Sequence, residues 1–182
     1  TNSFSSIVLD NIQGNESLKP FYQYAVNMEG FESAIQERKV LTNRQTLVSV
    51  LQKQYASIKT SADVNNNIVL LGDEKTFTIT TGHQLNLFTG PLYFIYKIVT
   101  TINLAKELKA KFPAYNFVPV YWMATEDHDF EEINHVKLED KKLVWETNAA
   151  GATGKISTAD LEDVRAAYQG YLGIGENGEK LA

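Results

Sequence analysis

Cysteine is absent from this sequence of 182 residues. The chain therefore has no disulfide, no thiolate nucleophile and no zinc or iron–sulfur site held by cysteine. A stable fold without disulfides is typical of a reducing compartment. The sequence also lacks the HExxH pattern of zinc proteases, so a metal site of that type is excluded.

Excess positive charge and long apolar segments are also missing. Lys and Arg number 17 against 22 Asp and Glu, and the net charge of −5 argues against general nucleic-acid binding. The longest uncharged apolar stretches, such as residues 117–124, are far shorter than the ~20 residues that cross a bilayer. No basic leader with an apolar segment stands at the start, so we expect neither secretion nor membrane association. The composition, 43% apolar and 21% charged, is that of a globular chain of about one domain.

The first third of the chain has helical periodicity. Between residues 17 and 60 apolar residues recur every three or four positions, most regularly from Leu47 to Ile58. We predict two or three helices here, within an N-terminal helical region over residues 1–62. The three asparagines at 65–67 predict a turn, and residues 68–71 predict a short strand.

A βαβ unit is predicted next. A strand over 76–80 alternates threonine with apolar residues. A helix over 91–111 follows, with Pro91 as its first residue and Thr89 or Gly90 as its cap. The apolar run 117–123 predicts a strand buried on both faces, as in a parallel sheet. The sequence therefore predicts an α/β core over residues 63–146.

The topology of such a unit indicates where a ligand would bind. In parallel sheets, ligands bind at the carboxyl ends of the strands. Two loops, 81–90 and 125–132, are expected to lie close together at that edge. They contain the chain's most unusual residues, so the candidate functional residues are concentrated there.

The remainder of the chain gives weaker patterns. Segments 133–138 and 143–146 predict a hairpin around residues 140–142. A helix over 160–172 is predicted with Ser157 or Thr158 as its cap. Residues 147–182 either continue the core or begin an insertion. We expect the two tryptophans, Trp122 and Trp145, to lie in the core.

Loop 81–91 has the features of an anion-binding site. It leads into a helix N-terminus, where free N–H groups and the helix dipole favour phosphate or carboxylate. His83 and Gln84 add polar side chains and are candidate catalytic residues. The spacing matches neither the Walker A pattern nor GxGxxG, so a purely structural turn is the alternative. The candidate anion- and substrate-binding residues are Thr81, Gly82, Asn86, Thr89, Gly90, Pro91 and Lys97. Lys97 either reaches the surface or points toward the ligand.

An acidic segment, Glu126 to Glu132, follows the second strand of the unit. It holds five carboxylates and His128, a costly concentration of like charge unless solvent, metal or a cation balances it. Asp127 or Asp129 can orient the His128 imidazole and raise its basicity, as a general base requires. These three are therefore candidate catalytic residues. The alternatives are a solvated helix start and a metal site of His128, His135 and Asp127 or Asp129.

Two segments together resemble a known family. They are TGHQLNLFTGPLYFIYK (81–97) and VPVYWMATEDHDFEEINHV (118–136). In this order and separation they are similar to the TGQQ…TGPLY and VPVFW…EDHDF.EINHV motifs of the cysteine-adding enzymes of bacillithiol biosynthesis. His83 stands where this family more often has glutamine.

The resemblance implies a Rossmann-like core related to the HIGH-signature nucleotidyltransferases, here incomplete, with TGHQ in the place of that signature. It implies a cytoplasmic ligase that adds L-cysteine to glucosaminyl malate by an amide bond, the last step in making the low-molecular-weight thiol bacillithiol. It further implies binding of an adenine nucleotide, ATP or ADP. It implies as well that full-length members form homodimers through a C-terminal coiled coil. We expect that element to be absent here, and the resemblance gives no ground to expect activity from this part alone.

Two other functions stay open on the residues themselves. One is a metal-dependent hydrolase or transferase that uses the acidic segment and its histidines. The other is a non-catalytic interaction fragment, whose apolar surface contacts another part of a longer chain. The predicted partners of the ligase are small molecules, with no nucleic acid, no membrane and no required metal.

Overall fold

The computed structural model describes residues 3–38, 42–173 and 175–181. Its N-terminal third is helical, with a 3-10 helix over Glu16–Phe21 and the helices α1 (Ser6–Ile12), α2 (Met28–Glu37), α3 (Arg44–Tyr55) and α4 (Ala62–Leu70). Asn27 and Asn43 begin α2 and α3, because each side chain accepts a hydrogen bond from an N–H of the first turn. The helices predicted within residues 17–60 are confirmed, whereas α1 has no counterpart among the predicted elements.

The turn and strand predicted over residues 65–71 are wrong, because this segment lies in and just after α4. Ser61 begins the helix by accepting a hydrogen bond from the Val64 N–H at 3.4 Å. Ile68 and Leu71 are both buried, and their spacing of three residues places them on one face of a helix. This packing outweighs the poor helix propensity of three asparagines. The boundary proposed at residue 62 stays a prediction, and α4 lies across it.

The core of the structure is the predicted βαβ unit. It consists of β1 (Thr76–Gln84), α5 (Leu92–Lys111) and β2 (Asn116–Ala124). The two strands pair in parallel, from Thr76 opposite Asn116 to Gln84 opposite Ala124. α5 packs against both strands and buries Ala105 and Leu108, the latter completely. The arrangement is consistent with an incomplete Rossmann-like core.

Three details of this unit differ from the predictions. β1 continues to Gln84, so residues 81–84 belong to the strand because they pair with β2. Pro91 is the N-cap of α5 and makes no side-chain capping bond, so it stands one position before the predicted one. Trp122 is 60% exposed, since within the described residues no layer covers the outer end of β2. The prediction that this strand is buried on both faces and the prediction of Trp122 as a core residue are both wrong.

The described remainder forms small elements beside the core. A short helix, α6 (Phe130–Ile133), precedes an antiparallel hairpin of β3 (His135–Leu138) and β4 (Lys141–Val144). The hairpin is confirmed, but its turn lies at Glu139 and Asp140, where Glu139 has a φ of 53°. Trp145 is buried as predicted and meets the Phe130 ring edge-on.

The C-terminal segment contains two α-helices in its described part. Two 3-10 turns, Thr153–Lys155 and Ala159–Leu161, lead into α7 (Glu162–Leu172), and α8 (Glu176–Leu181) follows. Ser157 accepts from the Ala159 N–H, close to the predicted cap, whereas α8 was not predicted. Among the described helices, none is both long and apolar enough to cross a membrane.

Candidate functional site

The carboxyl ends of β1 and β2 meet the start of α5 at one edge of the structure. Gln84, the last residue of β1, donates from Nε2 to the Glu132 carboxylate of α6 at 2.7 Å. This contact brings the first motif segment against the acidic segment. The expected proximity of the two loops is therefore confirmed.

His83 is the centre of a hydrogen-bonded cluster at this edge. Its Nε2 lies 2.7 Å from the hydroxyl of Tyr93 in the first turn of α5. Its Nδ1 lies 3.0 Å from the Asn86 amide nitrogen, which also donates to the Gln84 carbonyl at 2.9 Å. Residues of β1, of the following loop and of α5 are thus joined through one imidazole.

Aromatic rings support the His83 imidazole from the side of α5. The Phe94 ring meets it edge-on, with centroids 5.8 Å apart, and meets the Tyr121 ring in the same way at 5.5 Å. The Tyr121 hydroxyl donates to the His83 carbonyl at 3.2 Å. Burial raises the pKa of Tyr121, so this phenol stays neutral and remains a donor at neutral pH.

Two of the predicted glycines allow close approach at this edge. Gly90 has a φ of 61°, and a Cβ there would lie 2.8 Å from Cγ of Asn86. A Cβ on Gly82 would lie 3.1 Å from the Trp122 carbonyl oxygen. Gly90 therefore permits the turn that keeps Asn86 beside His83, and Gly82 permits the strands to come together. Thr89, between them in the loop, is exposed.

Lys97 and Thr81 lie along the body of the unit. The Lys97 ammonium group donates to the Gly82 carbonyl, so Lys97 reaches the strand and uses one of its three N–H groups there. Thr81 stands opposite Tyr121 in the strand pair. Thr81 lines a cavity of about 720 Å³ between α4, α5 and the outer edge of β2. This cavity is apolar for the most part and adjoins the His83 cluster through Tyr121.

The acidic segment is organised as a helix start. Asp127 accepts from the Asp129 N–H at 2.8 Å, and Asp129 accepts from the Glu132 N–H at 3.3 Å, which caps α6. His128 is exposed, and among the described contacts neither carboxylate bonds to its imidazole. The predicted pairing of His128 with Asp127 or Asp129 is not formed, because both carboxylates satisfy backbone N–H groups. The role of His128 as a base stays a prediction.

The proposed metal ligands are not brought together. In the part of the chain that the structure describes, no group of three or more His, Asp or Glu side chains lies close enough to hold a metal ion. His135 belongs to β3, and its Nδ1 lies 3.2 Å from the Asn134 side-chain oxygen.

The C-terminal segment holds the acidic loop in place. The Thr153 N–H donates to the Asp127 carbonyl at 2.7 Å, and the Gly154 N–H donates to that of Thr125 at 2.9 Å. A second link joins loop 85–91 to α7, where the rings of Phe88 and Tyr168 stack with centroids 3.8 Å apart. Whether residues 147–182 form a separate unit stays a prediction, but they contact both loops of the site.

Sequence reasoning missed four residues of the site: Tyr93, Phe94, Tyr121 and Glu132. Tyr93 and Phe94 follow Pro91 within the first turn of α5, so the predicted helix start placed them beside the strand end. Tyr121 is opposite Thr81 in a parallel pair, and register alone would have identified it. Glu132 had no such signal, since its contact spans 48 residues of sequence.

The chain was compared with known families and proteins. The model of "Bacillithiol biosynthesis BshC, N-terminal Rossmann-like domain" matches residues 1–182. A protein of Flavobacterium psychrophilum, provisionally named cysteine ligase BshC, is 52% identical over 98% of this chain and 34% of its own length. Proteins with the same name in Christiangramia forsetii and Bacillus thuringiensis are 47% and 34% identical, over 100% and 87% of this chain and 35% and 30% of their own lengths.

The chain thus spans about a third of the length of these relatives. The match covers both motif segments, the βαβ unit that carries them and the helices that precede it. The fold and the family model therefore agree on the same region, and the chain belongs to the bacillithiol biosynthesis BshC family, where it corresponds to the N-terminal Rossmann-like domain.

Proposed function

We propose that this chain supplies part of the substrate site of a ligase that adds L-cysteine to glucosaminyl malate, the last step of bacillithiol biosynthesis. The relatives are provisionally named cysteine ligases, and an amide bond is the product of that addition. The single observation that carries the proposal is the hydrogen bond from Gln84 to Glu132. It brings the polar end of β1 to the acidic segment, so one substrate can contact both.

The residues at this edge suit the chemistry of amide formation. The attacking amine must lose a proton, and the exposed imidazole of His128 takes it. Negative charge on the reacting carboxyl group, or on the malate carboxylates, is bound by N–H groups at the start of α5. His83 and Gln84 position the substrate between them.

An activated carboxyl group is also required, and we propose that an adenine nucleotide, ATP, activates it. The described residues offer N–H and side-chain donors at this edge, and the Lys97 ammonium group donates one of its three N–H groups to the Gly82 carbonyl. These donors suit an anionic group of the substrate. We assign the nucleotide to no residue described here.

The test is an assay of condensation between L-cysteine and glucosaminyl malate in the presence of ATP, made on a full-length family protein that carries this chain as its N-terminal domain, with bacillithiol measured by mass. His128→Ala should lower the rate at least ~100-fold if His128 is the base. Lys137→Ala, an exposed residue of β3, is the control and should leave the rate unchanged. A rate near that of the unsubstituted protein in His128→Ala would eliminate the assigned role.

The remaining parts of the proposal concern the longer family proteins. We propose a cytoplasmic enzyme that forms homodimers through a coiled coil in the part of those relatives that this chain does not match. The metal-dependent hydrolase is the weaker candidate, because its ligands are apart in the described residues. Loss of condensation after treatment with a chelator, and its return with zinc or manganese, would favour that candidate instead.

A further inference from the structure

The Nδ1 atom of His83 has two neighbours that make opposite demands on it. The Asn86 side-chain nitrogen, 3.0 Å away, is a donor and requires a bare lone pair on Nδ1. The Gln84 carbonyl oxygen, 3.1 Å away, is an acceptor and would require a hydrogen on Nδ1. A neutral imidazole carries one hydrogen, so only one of these contacts is a hydrogen bond in each tautomer.

The surrounding contacts decide between the two tautomers. The orientation of the Asn86 amide is fixed, because its nitrogen also lies 2.9 Å from the Gln84 carbonyl oxygen, which can only accept. One amide hydrogen therefore satisfies Gln84 and the other points at Nδ1. With the hydrogen on Nε2, every one of these groups is paired. With the hydrogen on Nδ1, the Asn86 N–H group would face another N–H group.

The hydrogen on Nε2 has a consequence for Tyr93. Nε2 then donates to the Tyr93 hydroxyl oxygen across 2.7 Å, and the hydroxyl hydrogen is free to point elsewhere. The Tyr93 side chain is 51% exposed at the start of α5. Its O–H group therefore faces the space in front of the loop rather than the imidazole.

The geometry points to Asn86 as a positioning residue that holds His83 in the Nε2-protonated tautomer and so directs the Tyr93 hydroxyl hydrogen to an acceptor oxygen of the bound substrate. The inference rests on the proposed function for the identity of the substrate, glucosaminyl malate, whose carboxylate oxygens are such acceptors. Tyr93 is thereby added as a hydrogen-bond donor to the substrate, and Asn86 acts on it by fixing the tautomer of His83. Tyr93 was not among the residues that the sequence analysis selected.

The tautomer is measured directly by ¹⁵N–¹H correlation spectra of the imidazoles at about pH 8.5, above the ordinary titration range of histidine. The sequence has three histidines, and the His83→Gln spectrum identifies the His83 signals by their loss. We expect the hydrogen on Nε2 in the unsubstituted protein. In Asn86→Ala the free Gln84 carbonyl should draw it to Nδ1, and Tyr93 would then donate to Nε2. A hydrogen on Nδ1 in the unsubstituted protein overturns the inference.

The binding of glucosaminyl malate to a full-length family protein that carries this chain, measured by calorimetry, tests the role of Tyr93. Tyr93→Phe should weaken binding about 3- to 10-fold, the value of one hydrogen bond. Tyr96→Phe is the matched control, since Tyr96 lies one turn further along α5 with 63% of its surface exposed, and it should bind as the unsubstituted protein does. In the Asn86→Ala background, Tyr93→Phe should cause no further loss.

The two proposals fail in different ways. Unchanged binding in Tyr93→Phe, with normal binding by the unsubstituted protein, overturns this inference and leaves the proposed function standing. An additive loss in the double variant also overturns it, because Asn86 would then not act through Tyr93. If the unsubstituted protein binds no glucosaminyl malate, the proposed substrate is wrong, and the imidazole spectra alone decide the tautomer.

Discussion

Gln84 donates a hydrogen bond to Glu132 at 2.7 Å, although 48 residues separate them in the sequence. Gln84 ends β1, and Glu132 lies in α6, whose first turn is capped by Asp129. The contact connects the two segments that carry the family's motifs. We therefore expect a substitution at the end of β1 to affect α6.

A double-mutant cycle on this pair should show coupling. Gln84→Ala and Glu132→Ala should each lower the free energy of unfolding, and the coupling between them should be about 1 kcal/mol, the value of one hydrogen bond. The measurement is urea unfolding of the four proteins. Glu131→Ala, an exposed neighbour, replaces Glu132→Ala in a control cycle that should show no coupling. Equal coupling in both cycles would mean that the 2.7 Å contact contributes nothing.

Arg44 should be important for the attachment of α3 to the core. Its guanidinium group donates to the Leu71 carbonyl at 2.9 Å and to the Thr76 carbonyl at 3.1 Å. Arg44→Ala should therefore lower the free energy of unfolding by about 1.5–3 kcal/mol. Arg44→Lys should retain only part of this stabilisation, because lysine lacks the planar guanidinium group that donates to two carbonyls at once. Arg38→Ala, at an exposed position, should cost less than about 0.5 kcal/mol. Equal losses at the two positions in chemical denaturation would contradict this view.

Gly90→Ala should disturb the site more than its backbone angle alone explains. The φ values of Gly90 and Gly14 are 61° and 68°, so alanine is strained by about 1 kcal/mol at either position. Only at Gly90 would the new Cβ lie within 3 Å of another side chain, that of Asn86, since nothing lies within 4 Å at Gly14. We expect Gly90→Ala to be the more destabilising substitution and to shift the His83 imidazole signals, while Gly14→Ala leaves those signals unchanged. Identical effects of the two substitutions would show that Asn86 moves aside freely.

Tyr121 should make stability fall at alkaline pH. Because burial raises the pKa of Tyr121, the folded protein holds this proton to a higher pH than the unfolded chain does. The contribution is complete below the unfolded tyrosine pKa of about 10 and is lost as the pH rises through the folded pKa. The free energy of unfolding should therefore decline more steeply above about pH 10 in the unsubstituted protein than in Tyr121→Phe. Parallel declines, with Tyr96→Phe as the control for removing a hydroxyl group, would refute the assignment.

The sequence predicted the βαβ unit well because its signals are local. An alternating strand, a helix that begins after Pro91 and an apolar strand follow one another without ambiguity, and parallel topology then places both loops at one edge. The segment 65–71 was predicted wrongly because three asparagines favour a turn locally. The segment is helical because a helix buries Ile68 and Leu71, and that burial depends on the rest of the fold.

In the candidate site, too, features set by local sequence were predicted and features set by the whole fold were not. The sequence predicted that His83, Asn86 and Gly90 lie at the carboxyl end of the first strand, but not that Asn86 bonds to His83 or that His83 belongs to β1. The pairing of His128 with a neighbouring carboxylate was not formed, because backbone N–H groups compete for Asp127 and Asp129. Sequence patterns name the groups that can bond, but the available partners are known only once the chain is folded.

The two tryptophans differ in exposure, so the intrinsic fluorescence of the protein can report on two regions separately. Trp122 is 60% exposed and stands opposite Gly82, whereas Trp145 is 5% exposed behind α6. The Trp122 indole is in contact with solvent and the Trp145 indole is buried, so we expect Trp122 to emit at longer wavelength than Trp145. Quenching by a water-soluble agent would silence Trp122 alone. A ligand that binds at the end of β1 would then change the emission of Trp122, while the emission of Trp145 would show whether the protein remains folded.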